Sequence, residues 1–198
     1  MKKEKTKCPW CMGDSLMEAY HDTEWGVPVY DDTKLFEYLV LDAFQAGLSW
    51  KTILHRREHF RKAFANFDYK KVAKFDHKKL DELMLNEGII RNKLKVYSSV
   101  TNAQLFIAVQ KEHGSFAKYI WQFTDHKTIN NIPIAIGSET QQIIPAKTAE
   151  AEAMSKDMRK RGFKFVGPTI CYAFMQAAGM VNDHLEGCFR YREVGALK

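Results

Sequence analysis

Apolar residues recur at helical spacing along most of the chain. Between residues 34 and 48 they follow one another in four-residue steps after a predicted cap at Thr33, at Leu35, Leu39, Ala43 and Gly47. Residues 91–111 repeat the pattern and end before Gly114, a helix-terminating glycine. Shorter helices are predicted from Trp50 and after the capping Asp76. Because nothing in the chain reads as a sheet, the sequence predicts an all-α fold.

Residues 130–145 interrupt this helical pattern. The stretch contains two prolines and a glycine, so we expect it to cross between two helical lobes. The chain has no internal repeat or low-complexity segment, and its 198 residues suffice for one substantial core. The sequence therefore predicts a single domain over residues 1–198, with a basic N-terminal tail at residues 1–7.

The composition is typical of a globular protein of the cytoplasm. Hydrophobic residues make up 45% of the chain, an ordinary share for a soluble domain. No apolar run approaches the roughly 18–20 residues of a membrane span, and no apolar segment follows the charged N-terminus as a secretion signal would require. The four cysteines are then expected to stay reduced, as metal ligands or, for Cys171, as a buried helix residue.

The formal net charge of +6 adds an expectation about partners. An excess of cations attracts polyanions, and nucleic acid is the first candidate. Part of the excess lies in the N-terminal tail, and many cytosolic proteins are equally basic. The charge alone therefore favours a nucleic-acid partner only modestly.

Two pairs of metal-type ligands lie at opposite ends of the chain. Cys8 and His21 are near the N-terminus; His184 and Cys188, at i and i+4, would share one face of a helical turn near the C-terminus. Two thiolates and two imidazoles suit tetrahedral Zn²⁺, and four protein ligands leave no open position for water. The sequence therefore predicts a structural zinc site that ties the two termini together.

Two alternatives to this ligand set use Cys11. The C-x-x-C spacing of Cys8 and Cys11 occurs in thioredoxin-like redox motifs, but a charged tail rather than a strand precedes it. A second alternative replaces His21 by Cys11 and keeps the other three ligands. Spacing alone leaves both open.

A second motif lies between two helices predicted within residues 154–178. A helix rich in lysine and arginine leads into residues 162–167 (GFKFVG), and an apolar helix follows. Glycines permit close approach of the backbone to a partner, and free N–H groups at the second helix's N-terminus suit phosphate. This pattern is typical of a helix-hairpin-helix unit, which positions a protein on DNA without reading sequence. A plain turn between two helices is the alternative.

Together these segments resemble the 3-methyladenine DNA glycosylase I family of the helix-hairpin-helix superfamily. The matches run in order from residue 8 to residue 188, nearly the full chain. They are Cys8 with Trp10, AYHD at 19–22, EWGVP at 24–28, QAGLSW at 45–50, RGFKFVG at 161–167 and VNDH at 181–184. An ordered set of this length is highly specific for the family.

The resemblance implies an activity, a partner and a metal. Members of the family hydrolyse the N-glycosidic bond of N3-methyladenine, a cationic base that is flipped out of alkylated double-stranded DNA during base-excision repair. The zinc ligands implied are Cys8, His21, His184 and Cys188, rather than a set with Cys11. We expect a monomeric, monofunctional glycosylase without an iron–sulfur cluster.

The resemblance further implies which residues meet the base and the DNA. Trp50 is expected to stack on the base, with Trp10, Tyr20 and Trp25 around it. Asp42 is the expected catalytic residue and hydrogen-bonds the edge of the base. Leu48 is a candidate wedge in the DNA stack, or alternatively a core leucine. The expected contacts to the DNA backbone are Gly162, Lys164, Gly167 and Thr169.

Two positions near the expected pocket depart from the family pattern. Asp42 stands where well-known members have a glutamate, and is one methylene shorter. Met17 replaces a tyrosine that is frequent near the pocket. A changed pocket would suit two alternatives: a damage-binding protein with little catalysis, or a glycosylase with altered base preference.

Overall fold

The computed structural model describes residues 6–131, 135–136, 141–142 and 144–197, and it is mostly helical. The α-helices are α1 (Ser15–Thr23), α2 (Asp32–Gln45), α3 (Trp50–Leu54), α4 (Arg57–Ala63), α5 (Tyr69–Val72), α6 (His77–Leu85), α7 (Lys93–His113), α8 (Phe116–Trp121), α9 (Ala149–Lys160), α10 (Pro168–Ala177) and α11 (Phe189–Gly195). Short 3-10 turns lie at Pro9–Cys11, Ala65–Phe67 and Gln122–Thr124. Among the described residues, no helix combines the length and the hydropathy needed to span a membrane.

Helix α2 forms the centre of the molecule. It packs against α3, α7, α8 and α10, and its residues 35–44 are all buried. Phe36 packs on Phe106, and Phe106 on Phe116, with ring centroids 5.3 and 3.9 Å apart. Close packing on all sides holds α2 in one position, so a polar side chain on this helix, such as Asp42, is held equally firmly.

The boundaries of α2 differ from the sequence prediction. Asp31, not Thr33, is the N-cap, and its carboxylate accepts the N–H of Lys34 at 2.8 Å. Asp31 has an extended backbone, which a cap requires, whereas Thr33 already lies inside the helix. The helix ends at Gln45 rather than continuing to residue 48, because Gly47 takes a φ of +79°, which is not helical.

The other predicted helices are confirmed. Helix α7 ends at Gly114, which has a φ of +85°, and Asp76 caps α6 by accepting the N–H of Lys79 at 2.8 Å. Cys171 is buried within α10 as expected.

Two short strand pairs are an addition to the predicted helical fold. β1 (Ile129–Asn130) pairs in parallel with β4 (Val181–Asn182), and β2 (Ala135–Ile136) pairs antiparallel with β3 (Gln141–Gln142). Strands of two residues are too short to produce an alternating pattern in a sequence. Much of the predicted crossing segment lies outside the described residues, at 132–134, 137–140 and 143. The β1–β4 pair fixes the chain just before residues 183–188.

Candidate functional site

Four side chains from the two ends of the chain meet in one buried cluster, Cys8, His21, His184 and Cys188. Their ligand atoms all lie within 4.8 Å of one another. Cys188 Sγ is 3.4 Å from His21 Nε2 and 3.7 Å from His184 Nδ1, and Cys8 Sγ is 3.7 Å from the same Nδ1. Ligand atoms of a tetrahedral zinc ion stand roughly 3.5 Å apart. This Cys–His cluster therefore has the donor set and the spacing of a tetrahedral metal site.

Hydrogen bonds to the outer ring nitrogens orient the two histidines of the Cys–His cluster. His21 Nδ1 donates to Asp22 Oδ1 at 2.8 Å, and His184 Nε2 donates to the carbonyl oxygen of Trp25 at 3.0 Å. These bonds place each proton on the outer nitrogen and turn the lone pair of the inner nitrogen into the cluster. A hydrogen bond from Cys8 lowers the pKa of the Cys188 thiol. The same bond and burial raise the pKa of the Cys8 thiol, so a bound metal would have to displace the proton that the two sulfurs share.

The C-terminal pair is held differently from the sequence prediction. His184 and Cys188 lie in a loop between β4 and α11 rather than on a helical turn, because the N–H of Cys188 bonds the carbonyl of Leu185 at 2.8 Å and closes a tight turn. Cys11 is buried outside the cluster, and its Sγ donates to the carbonyl of Cys8 at 3.1 Å. Of the ligand sets that spacing left open, this geometry favours the one with His21.

A cavity of about 430 Å³ opens beside the Cys–His cluster. The four aromatic residues singled out in the sequence all line it. Tyr20 and Trp50 have ring centroids 5.1 Å apart, and Trp10 packs edge-on against Trp25 at 4.9 Å. A concave, mostly apolar cavity with a few polar groups is the usual form of a small-molecule site. The other lining residues are Pro9, Asp42, Gln45, Ile144, Ala173 and Gln176.

The cavity and the Cys–His cluster share supporting elements. Trp10 lies in the first 3-10 turn, which begins directly after Cys8. Tyr20 directly precedes the cluster residue His21 on α1. The ring of Trp25 lies 4.6 Å from that of His184, centroid to centroid. The cluster therefore supports three of the four aromatic walls from behind.

Polar atoms without a partner converge on this cavity. Within the described part of the chain, Trp10 Nε1, Trp50 Nε1 and Asp42 Oδ2 are buried without a hydrogen-bond partner, and all three residues line the cavity. A buried polar atom left unpaired costs about 1–3 kcal/mol. Such atoms need an explanation in a native structure, and a functional role is one. A ligand therefore has to accept from the two indole N–H groups and to pair with the Asp42 carboxyl oxygen.

The Asp42 carboxyl is the most heavily desolvated of these groups. The residue is only 2% exposed, and burial raises the pKa of the carboxyl well above its ordinary value. Burial therefore disfavours the ionised form of this carboxyl. A cationic ligand would favour the ionised form, because an opposite charge nearby stabilises a carboxylate. The cavity is thus suited to a flat cation rather than an anion.

The turn after α2 exposes an apolar side chain next to the lining residues. Leu48 is 42% exposed, so it does not occupy the core position that the sequence left open. Lys95 on α7 anchors this turn, because its Nζ donates to the carbonyls of Phe44 and Ala46 at 2.8 and 2.6 Å. These carbonyls end α2, where an ammonium group is favourable. The protein thus presents Leu48 on a fixed turn.

The segment between α9 and α10 is a turn that begins with a glycine in a left-handed conformation. Gly162 takes a φ of +100°, a conformation that favours glycine. Phe163 and Val166 are buried. Asn102 on α7 holds the hairpin, because it accepts the N–H of Lys164 at 2.8 Å and donates to the carbonyl of Lys164 at 3.0 Å. The backbone is fixed, while the Lys164 side chain stays exposed.

Gly167 caps the start of α10 for a different reason from Gly162. Its φ is −63°, and an added Cβ would meet nothing within 4 Å. The fold therefore does not require glycine at this position, whereas close approach of a partner would. The first N–H groups of α10, around Thr169, have no intrahelical acceptor and suit phosphate. From there α10 continues to the cavity, where Ala173 and Gln176 line the wall.

One cation of the predicted basic helix, Arg161, forms ion pairs within the protein and is not free to contact a partner. Arg161 donates to both carboxylate oxygens of Glu112 at 2.6 and 3.0 Å and to Asp157 at 2.7 Å. Its guanidinium also lies 4.9 Å from the ring centroid of Tyr119. Arg161 therefore ties the hairpin to α7, and the exposed cations of α9 are Lys156, Arg159 and Lys160.

The sequence prediction missed an ion-pair network behind the cavity. Buried Arg57 on α4 donates to both carboxylate oxygens of Glu24 at 2.7 Å and to Glu37 on α2 at 2.6 Å. Because Glu24 precedes Trp25, the network fixes that cavity wall to α2 and α4. No local pattern reveals it, since its members lie on separate elements. Also absent from the prediction are the lining residues Pro9, Gln45, Ile144, Ala173 and Gln176.

Comparison with solved structures defines the class of this fold. A crystal structure of 3-methyladenine DNA glycosylase I superposes with a TM-score of 0.87 at 43% identity, over 93% of this chain and 98% of that one. The Staphylococcus aureus 3-methyladenine DNA glycosylase I gives 0.86 at 33% identity, over 92% and 95% of the two chains. A variant of such a glycosylase in complex with 3-methyladenine also gives 0.86 at 33% identity, over 92% and 96%. The fold is that of the helix-hairpin-helix DNA glycosylases.

The chain belongs to the methyladenine glycosylase family, whose sequence model matches residues 10–191. The DNA-3-methyladenine glycosylase of Haemophilus influenzae is 45% identical over 184 residues, 92% of this chain and 96% of that protein. The DNA-3-methyladenine glycosylase 1 of Escherichia coli is 43% identical over 185 residues, 93% of this chain and 96% of that protein. The family resemblance read from the motifs is thus confirmed.

Proposed function

We propose that this protein is a monofunctional DNA-3-methyladenine glycosylase that acts on alkylated double-stranded DNA. The family membership, the names of two relatives and a neighbouring structure that holds 3-methyladenine support this function. The protein would remove the base by hydrolysis and leave an abasic site for the later steps of base-excision repair. We expect it to act as a monomer in the cytoplasm.

The observation that carries the proposal is the unpaired Asp42 carboxyl inside an aromatic cavity. N3-methyladenine in DNA is a flat cation, and a cation over an indole face gains roughly 0.5–2 kcal/mol. Trp50 is the residue proposed to stack on the base, while Trp10, Tyr20 and Trp25 enclose it. An unmodified adenine is neutral, so it gains neither the cation–π attraction nor the charge pairing with Asp42.

The proposed reaction requires little proton transfer to the base. The bond between C1′ and the purine nitrogen breaks with both electrons moving to the purine, so the cationic base leaves as a neutral molecule. The sugar takes up the positive charge, water adds to C1′, and the water proton passes to solvent. Asp42, ionised beside the bound cation, stabilises the positive charge. No lysine is among the described lining residues, which favours hydrolysis over a Schiff-base reaction.

The base has to leave the duplex before it enters the cavity, which costs a few kcal/mol. Leu48 is proposed to fill the vacated place in the stack, because it is the exposed apolar side chain on the fixed turn. The phosphate backbone is proposed to bind at the hairpin, through the N–H groups around Gly167 and Thr169 and the ammonium of Lys164. Gly162 gives the hairpin its shape.

Zinc is the metal proposed for the Cys–His cluster, because two thiolates and two imidazoles are its preferred tetrahedral donors. When bound, zinc cross-links the two ends of the domain and contributes no open site to the reaction. Cys8, His21, His184 and Cys188 would hold the ion, and the neighbouring Trp10 and Trp25 would keep their places in the cavity wall as a result.

Incubation of the purified protein with methylated duplex DNA, followed by chromatography of the released bases, tests the proposal. We expect release of 3-methyladenine, no release from unmethylated DNA, and a DNA strand that stays intact until alkali cleaves the abasic sites. Tight binding to methylated duplex without any release would instead support the damage-binding alternative. Release of a different alkylated purine in preference would support altered base preference.

A further inference from the structure

Gln176 on α10 is a polar residue of the cavity wall whose hydrogen bonding restricts what the cavity can accept. Its amide Nε2 donates to Asp183 Oδ2 at 2.7 Å. Asp183 is itself 2% exposed and directly precedes the cluster residue His184. A residue of the cavity wall is thus hydrogen-bonded to a buried acid beside the Cys–His cluster.

Asp183 is held in place by two further donors. The hydroxyl of Tyr172 donates to Asp183 Oδ2 at 2.7 Å, and the amide of Asn131 donates to Asp183 Oδ1 at 2.7 Å. Hydrogen bonds to a carboxylate are about twice as strong as neutral ones and offset the desolvation of a buried acid. Because Asn131 follows β1 and Asp183 follows β4, the β1–β4 pair sets the position of the acid.

The chemistry of the carboxylate fixes which way the Gln176 amide faces. A carboxylate only accepts hydrogen bonds, whereas an amide has one accepting end and one donating end. If the amide turned over, its oxygen would face Asp183 Oδ2 and two acceptors would repel each other. The NH₂ group therefore faces Asp183, and the amide oxygen is directed away from it.

We propose that Gln176 is a specificity-determining residue that recognises the 6-amino group of the bound purine, and that Asp183 is the positioning residue that keeps the amide oxygen available as an acceptor. This inference rests on the proposed function. A 6-amino group donates to the amide oxygen, while a 6-oxo group would set oxygen against oxygen and leave both unpaired. A site built to hydrogen-bond one group rejects the analogue that lacks it far more strongly than a purely apolar pocket does. Asp42, which when ionised also accepts hydrogen bonds in the cavity, acts in the same direction.

Two free bases that differ at the 6-position and in the proton on the adjacent N1 test this assignment, and the change of preference in a variant isolates the contribution of Gln176. We would titrate the metal-loaded protein with 3-methyladenine and with 3-methylhypoxanthine, whose oxygen replaces the amino group, and follow the fluorescence of the cavity tryptophans. The wild-type protein should bind 3-methyladenine more tightly. In Gln176→Met, which keeps the length but removes the amide, this preference should fall about tenfold, and the thermal unfolding temperature should fall somewhat because Asp183 loses one donor.

A second variant and a matched control distinguish a loss of base recognition from a general loss of protein stability. Asp183→Asn places an amide that can donate as well as accept, so the Gln176 amide is free to turn over and the preference should again fall, at unchanged metal content. Gln104→Met makes the same chemical change at an exposed glutamine whose amide donates to the carbonyl of Ala73 at 3.1 Å. That control should keep the wild-type preference.

The outcomes separate this inference from the proposed function. An undiminished preference in Gln176→Met, or equal weakening of both ligands, overturns the role of Gln176 and leaves the glycosylase activity standing. A preference that disappears in Gln176→Met supports the role, even if the wild-type protein releases no base from methylated DNA and the proposed function fails. A wild-type protein that binds neither free base overturns the role of Gln176, whereas release of 3-methyladenine from methylated DNA decides the proposed function separately.

Discussion

The Cys–His cluster and the aromatic cavity share a wall, yet they treat their polar atoms in opposite ways. In the cluster, the outer nitrogens of His21 and His184 are hydrogen-bonded, and the inner nitrogens lie within 3.7 Å of a cysteine sulfur. In the cavity, Trp10 Nε1, Trp50 Nε1 and Asp42 Oδ2 have no partner among the described residues. A polar atom that serves stability is paired by the chain itself, whereas one that serves binding is left for the ligand.

Removing a cluster ligand should have the largest effect, because the cluster supports the cavity as well as the fold. We expect His184→Ala to lose the metal and on the order of 3 kcal/mol or more of unfolding free energy. Metal analysis and thermal unfolding measure both. Cys11→Ser is the matched control and should retain the metal, since Cys11 Sγ bonds a carbonyl outside the cluster. The reverse pattern in the two variants would mean that the ligand set contains Cys11.

Changing Asp42 should impair the cavity and spare the cluster. Asp42→Asn keeps the shape of the side chain and removes the charge that a cationic base requires. We expect excision of 3-methyladenine to fall tenfold or more, a loss of about 1.4 kcal/mol of transition-state stabilisation. The metal content should not change. Unchanged excision rates in single-turnover assays would show that the catalytic carboxyl lies elsewhere.

The same variant should gain stability, with a distinctive pH dependence. The pKa of Asp42 is raised by burial, so as pH rises through about 3.9 the unfolded chain ionises first and the wild-type fold loses stability. Asp42→Asn escapes this loss. Its advantage in unfolding free energy should therefore be absent below about pH 4 and should grow at higher pH. Urea unfolding at several pH values measures it, and a pH-independent difference would contradict the assignment.

The two hairpin glycines allow a smaller and more specific test. Gly162→Ala should destabilise the fold by about 1 kcal/mol, because alanine is strained at a φ of +100°. Gly167→Ala should leave stability unchanged, since its Cβ enters open space, but should weaken binding to methylated and unmethylated duplex alike. Thermal unfolding and fluorescence anisotropy at fixed salt distinguish them. Unweakened DNA binding in Gly167→Ala would place the phosphate contact away from the start of α10.

The sequence predicts the regular helices well, because spacing and caps act locally. Gly114 and Asp76 were identifiable for this reason. The sequence does not distinguish Asp31 from Thr33 as the N-cap of α2, because both residue types cap helices and the position of the cap depends on where the backbone becomes extended. The two-residue strands leave no periodic trace at all.

The candidate site divides along a similar line. The family resemblance marks Trp50 as a site residue, and it selects the four cluster ligands among the sets that the cysteine and histidine chemistry left open. The contacts that orient them are formed between distant segments, as in the bond from Gln176 to Asp183 or from Arg57 to Glu24. Tertiary packing alone brings such partners together, so a single sequence holds no signal for them.

Lys95 braces both surfaces that are proposed to touch DNA. Its ammonium binds the carbonyls that precede the Leu48 turn, and it lies 5.8 Å from the ring centroid of Phe165 in the hairpin. Both surfaces are thereby ordered when the chain folds, so little conformational entropy is lost when DNA arrives. The protein can then contact successive base pairs without changing its conformation. We therefore expect diffusion and the opening of the duplex, rather than rearrangement of the protein, to limit the rate of lesion search.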